Sequence, residues 1–95
     1  MPEMRFHISW PDGTKEACYS PSLVIKDHFA PGETYALADF LAKSREALTT
    51  ASERVRAKYG MPCSLALGQL ARIEATGRAF SNHPDARVSI DAFED

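Results

Sequence analysis

The 95 residues are 44% apolar and carry a formal charge of -2, enough for one core that buries about 60–65% of the unfolded surface, and for one domain rather than two. The slight acidity argues against a nucleic-acid partner, and no apolar run approaches the ~20 residues of a bilayer span. Met1-Pro2-Glu3-Met4-Arg5 lacks the basic and apolar regions of a signal peptide, so the expected location is cytoplasmic, where Cys18 and Cys63 remain free thiols.

Met4, Phe6, Ile8 and Trp10 alternate with Arg5, His7 and Ser9, the period of a half-buried strand. Pro11-Asp12-Gly13 is a turn: proline presets φ, aspartate bonds locally and glycine accepts the left-handed region. Residues 15–19 return as the second strand of a hairpin. Its register is open. A four-residue loop places Ala17 and Tyr19 on the core face, whereas a three-residue loop places Cys18 there. Ser20-Pro21 reads as a helix N-cap followed by proline at the first helical position. A short helix to Phe29 follows, opposed by the β-branched Val24 and Ile25 and stopped by Ala30-Pro31-Gly32. Residues 33–36 read as an extended connector.

Leu37, Leu41, Ser44, Leu48, Ala51 and Val55 recur at spacings of four and three, widened by Phe40 and Ala47. They predict an amphipathic helix over 37–59. Gly60 suits a left-handed C-terminal cap, and Pro62 suits the first position of a second helix. In that helix Ala66, Leu67, Leu70, Ile73, Gly77 and Phe80 form the buried stripe, and the short link makes a helical hairpin. Residues 81–85 form a loop. Val88, Ile90 and Ala92 then alternate with Arg87, Ser89 and Asp91 as a third strand. The order ββ-α-α-α-β gives an α+β fold: a three-stranded, mainly antiparallel sheet covered on one face by the helical hairpin and the short helix. The other face, with Arg5, His7, Arg87, Ser89 and Asp91, meets water or a partner.

Chemistry-bearing residues gather in two segments. Cys63 sits in the first turn of the second helix, where the helix dipole favours a thiolate and Ser64 offers a hydrogen bond. The competing reading is a small core residue, since no base lies nearby in sequence. Cys18 ends a strand just ahead of Tyr19 and Ser20, at a helix start suited to anions. Arg54, Arg56 and Lys58 lie in the last turns of the first helix, where cations favour the dipole by ~0.3–1 kcal/mol each. They also suit an anionic ligand or acidic partner held near Tyr59, Cys63 and Ser20. His7, His28 and His83 lack the paired spacing of metal ligands, so neither metal nor cofactor is expected. No GxSxG, P-loop, GxGxxG or HExxH string occurs.

Met1-Pro2-Glu3-Met4, Trp10-Pro11-Asp12-Gly13, Cys18-Tyr19-Ser20-Pro21-Ser22, Ala38-Asp39-Phe40, and residues 52–60 with Cys63-Ser64 together resemble the small bacterial nitrogen-starvation response proteins encoded beside a nitrilase. The resemblance covers nearly the whole chain. It implies a role in nitrogen-limited metabolism beside a nitrilase, a radical S-adenosylmethionine protein, an acetyltransferase and a flavoprotein. It carries no catalytic residue. The expectation is a non-enzymatic accessory protein whose partner is a product of the same gene cluster or a second copy as a homodimer. Its rivals are a small-molecule or anion-binding module and a thiol enzyme using Cys63.

Overall fold

The computed structural model describes residues 2–95; Met1, part of one motif above, lies outside them. Strand β1 (Met4–Ser9) pairs antiparallel with β2 (Lys15–Ser20) across the Trp10-Pro11-Asp12-Gly13 turn. The Trp10 N–H donates to Thr14 O and the Gly13 N–H to Trp10 O, each at 2.8 Å. The loop therefore has three residues, a tight turn followed by a left-handed Gly13 at φ 87°. That resolves the register. Phe6 faces Cys18, Cys18 lies on the core face, and Tyr19 stands opposite Arg5 on the outer face.

Four strands form the sheet, not three, in the order β2-β1-β4-β3 with every pair antiparallel. The added strand is β3 (Thr34–Ala36), the segment expected to be a connector. Its three residues carry no periodicity, and pairing with β4 (Arg87–Glu94) makes them a strand. Gly32 N–H to Ile90 O (2.7 Å) and Ile90 N–H to Glu33 O (2.9 Å) extend the ladder. Strand β4 also departs from simple alternation. Ile8 faces Ile90 while His7 faces Ala92, so Asp91 is an extra residue in a bulge. Beyond it the phase reverses: Ala92 is exposed and Phe93 is half-buried against the core.

The short helix starts later than Ser20-Pro21 suggested. Ser20 still belongs to β2, and Ser22 caps a 3-10 turn over Leu23–Asp27. Its hydroxyl accepts from Val24 N–H at 3.3 Å. With Val24 and Ile25 both buried there, a tight single turn replaces an α-helix.

Helix α1 (Leu37–Tyr59) ends at a left-handed Gly60, φ 85°. Helix α2 (Ser64–Arg78) starts two residues later than Pro62 allowed, making Cys63 its N-cap instead of a first-turn residue. Its buried stripe is Ala66, Gln69, Leu70, Ile73 and Gly77, while Leu67 turns outward and Phe80 is half-buried. A Cβ on Gly77 would lie 2.7 Å from Leu41 Cδ2, so this glycine admits the α1 side chain. All helices cover one sheet face. The core between the layers is aromatic: Trp10 stacks on Phe80 (6.0 Å) and meets Phe40 edge-on (5.6 Å), and Phe29 joins Phe6, Phe40 and Tyr35 within 5.2–6.1 Å. No helix among the described residues is long and apolar enough to cross a membrane.

The outer sheet face is a polar ladder. His7 Nε2 lies 2.9 Å from Glu94 Oε1, Ser9 Oγ donates to Asp91 Oδ2 at 2.6 Å, and Thr34 Oγ1 lies 3.3 Å from Ser89 Oγ. His28 is half-buried, with Nδ1 3.2 Å from Val24 O.

Candidate functional site

The two sequence segments that carry the chemistry meet at one corner, where β2 ends and the helical hairpin turns. Ser22 Oγ accepts from Arg54 Nη1 at 3.0 Å, and Ser52 Oγ accepts the Cys63 N–H at 3.1 Å. Both bonds join residues far apart in sequence, and both use hydroxyls that are buried. Ser20 Oγ donates to Ser22 O at 2.7 Å and fixes the turn between them. These serines and Arg54 thus fasten the corner, which is why they cluster where packing alone asks for no hydroxyl.

The other candidate side chains divide among the core, the hairpin turn, the exposed end of α1 and a groove. Cys18 is fully buried under α2, and burial raises its thiol pKa far above the usual cysteine range, with the Glu16 carboxylate adding to the effect. Cys63 is half-buried at the hairpin turn. Arg56 pairs with Glu53 at 3.5 Å, and Lys58 Nζ lies 5.6 Å from the centre of the Tyr59 ring. Arg56, Lys58 and Tyr59 stand exposed on the last turns of α1 and do not line the groove that holds Tyr19 and Ser64.

That groove, about 470 Å³, runs between the outer edge of β2 and the first half of α2. Tyr19 and Ser64 meet there with residues that sequence reasoning did not single out: Glu3, Arg5, Gln69 and Arg72. The Arg5 guanidinium sits over the Tyr19 ring at 5.9 Å. Partial burial, reinforced by the nearby Glu3 carboxylate, pushes the Tyr19 phenol above its ordinary value.

Gln69 organises the floor. Its Oε1 accepts from Tyr19 N–H at 3.0 Å and from Arg72 Nη2 at 3.2 Å, and its Nε2 lies 3.4 Å from Glu16 Oε2. Glu16, opposite Ile8 on the inner face, also accepts the Trp10 indole N–H at 2.9 Å. A network of side-chain amide, carboxylate and indole thus ties α2 to the margin of the sheet. The sequence does carry a signal for Gln69. It stands three residues after Ala66 and four before Ile73, a polar residue inside the buried stripe, where a hydrogen-bonding task is to be expected.

A second groove of about 520 Å³ lies at the opposite end, between the Pro11-Asp12 turn and the loop bearing His83, Pro84 and Asp85. Among the described residues, no three of His, Cys, Asp and Glu come together as metal ligands would.

Neither the curated proteins nor the solved structures contain a match to this chain. A family model does match, over residues 5–93, and so takes in both fastened segments, the Arg5–Tyr19 stack and the Gln69 network. The chain belongs to the family described as nitrogen starvation-induced protein NitG.

Proposed function

We propose that this protein is an accessory factor of the nitrogen-starvation response that works by docking onto another protein, not by turning over a substrate. What supports this is an exposed apolar cluster at the tip of the helical hairpin. Tyr59 is 63% exposed, Met61 72%, Leu65 66% and Leu67 42%. Scattered apolar residues are ordinary on a surface, but these four are all the large apolar side chains that stand exposed among the described residues, and they fall within nine positions about the hairpin tip.

The occupant is a partner with an acidic rim. Lys58, with no carboxylate partner among the described residues, and Arg56, only loosely paired with Glu53 at 3.5 Å, stand exposed at the same end of α1, and a two-fold contact between two tips would set these cations against their own copies. A protein of the same gene neighbourhood, expressed under the same starvation, is therefore the occupant rather than a second copy.

The test is co-purification of the intact chain with each product of the neighbouring genes, beside the variant Met61→Asp. Met61 lies in an exposed turn, so the variant keeps the fold. The expected result is one stable complex that the variant loses, by roughly tenfold or more in affinity if Met61 is a central contact. Failure of every neighbour to bind, or a variant that binds equally well, overturns the reading.

A further inference from the structure

The groove between β2 and α2 supports a second inference, independent of partner docking at the tip although Leu65 borders both. We propose that it is a binding site for a small organic monocarboxylate bearing a short apolar chain.

Two guanidinium groups line the groove from different elements, Arg5 on β1 and Arg72 on α2. Among the described residues neither is part of an ion pair, while Lys15, Lys26, Arg45 and Arg56 each have a carboxylate partner. Arg5 contacts an aromatic ring, and Arg72 donates to the neutral Gln69 amide. Each keeps most of its five N–H donors for an incoming acceptor. A planar fork is the donor geometry that a carboxylate matches with two parallel hydrogen bonds.

Charge fixes the number of carboxylates. The groove holds two cations and one anion, Glu3. One negative charge balances it, whereas a dicarboxylate would bring its second charge against Glu3. The rest of the wall fixes the shape. Leu65 offers an exposed apolar side chain, and a Cβ on Gly68 would meet nothing within 4 Å, so the helix surface there is open. Tyr19 supplies an aromatic face. An inorganic anion would leave this apolar wall unused. The volume of about 470 Å³ falls in the usual range of small-molecule sites, ~300–1,000 Å³.

Sodium butyrate is the probe, titrated into the full-length protein at constant ionic strength and followed by amide NMR. The expected result is saturable shifts confined to Tyr19, Ser64, Leu65, Gly68 and Arg72. The neutral analogue butyramide binds weaker by about tenfold or more, because charge-assisted hydrogen bonds are lost. Arg72→Gln weakens butyrate by on the order of tenfold. Glu3→Gln, at an exposed position ahead of β1, tightens it several-fold by removing a like charge. That gain keeps the test decisive even if the Arg72 variant disturbs Gln69, because a damaged fold does not bind more tightly. Equal binding of butyrate and butyramide, sulfate as effective as butyrate, shifts outside the groove, or no gain in Glu3→Gln would each overturn the proposal.

Discussion

Cys18 is buried because the hairpin loop has three residues, while Cys63 stands half-buried at the α2 cap. A loop one residue longer would have turned Cys18 outward and Tyr19 inward. Native alkylation should therefore label Cys63 and spare Cys18 until the protein unfolds, as mass spectrometry of labelled peptides would show. Equal labelling of both would contradict the register. The raised Cys18 pKa has a consequence for stability. Above the ordinary thiol value of ~8.5 the unfolded chain loses this proton while the folded chain keeps it. The contribution is thus fully present below that pH and declines above it. Asp91 runs the other way. The Ser9 hydroxyl, helped by Lys15, holds its carboxyl below the usual 3.8. The stabilisation is present above the unfolded value and lost as pH falls through the folded one. By NMR titration the Asp91 midpoint should lie below 3.8, and Ser9→Ala should move it upward. Asp91 is about a third exposed and solvent screens it, so the associated stability is at most ~1 kcal/mol.

At the scale of elements, two buried serines of α1 have opposite roles. Ser52 accepts the N–H of the α2 cap residue, and Ser44 Oγ is buried without a hydrogen-bond partner. Ser52→Ala should cost about 1–3 kcal/mol by leaving the Cys63 N–H unbonded, whereas Ser44→Ala should be neutral or stabilising by up to ~1 kcal/mol. Chemical denaturation of the two variants gives the comparison, and equal losses would refute it. Both serines lie on the buried side of α1, although the sequence placed only Ser44 in the apolar stripe; the partner atom is what distinguishes their roles. The long helices were legible because their apolar spacing repeats over several turns and Gly60 marks a stop. Strand β3 was not, because three residues show no period and its backbone is claimed by β4. The bulge at Asp91 was hidden for a related reason: alternation through Val88, Ile90 and Ala92 looks unbroken until β1 is laid beside it.

In the whole molecule, three of the residues that drew attention in sequence, Ser20, Arg54 and Cys63, hold the corner together. Ser20, Ser22, Ser52 and Arg54 make bonds that join β2, the 3-10 turn and the hairpin. Sequence showed that these segments are chemically dense, but not that they are neighbours, because a contact between residues 22 and 54 depends on the complete topology. The groove was only half legible. Tyr19 and Ser64 lay in noted segments, while Arg5 looked like one more outward residue of a strand and Arg72 like an ordinary helix-surface cation.

The Gln69 bond to Tyr19 N–H also affects how these molecules meet one another. A four-stranded sheet has two margins, and each is a template on which a foreign strand can assemble. On the β2 margin a glutamine side chain already occupies a donor that such a strand would need. On the other margin, β3 offers three residues before the chain coils into α1. With one border partly stoppered and the other too brief to pair along, the sheet is a poor template for growth from chain to chain into a fibre.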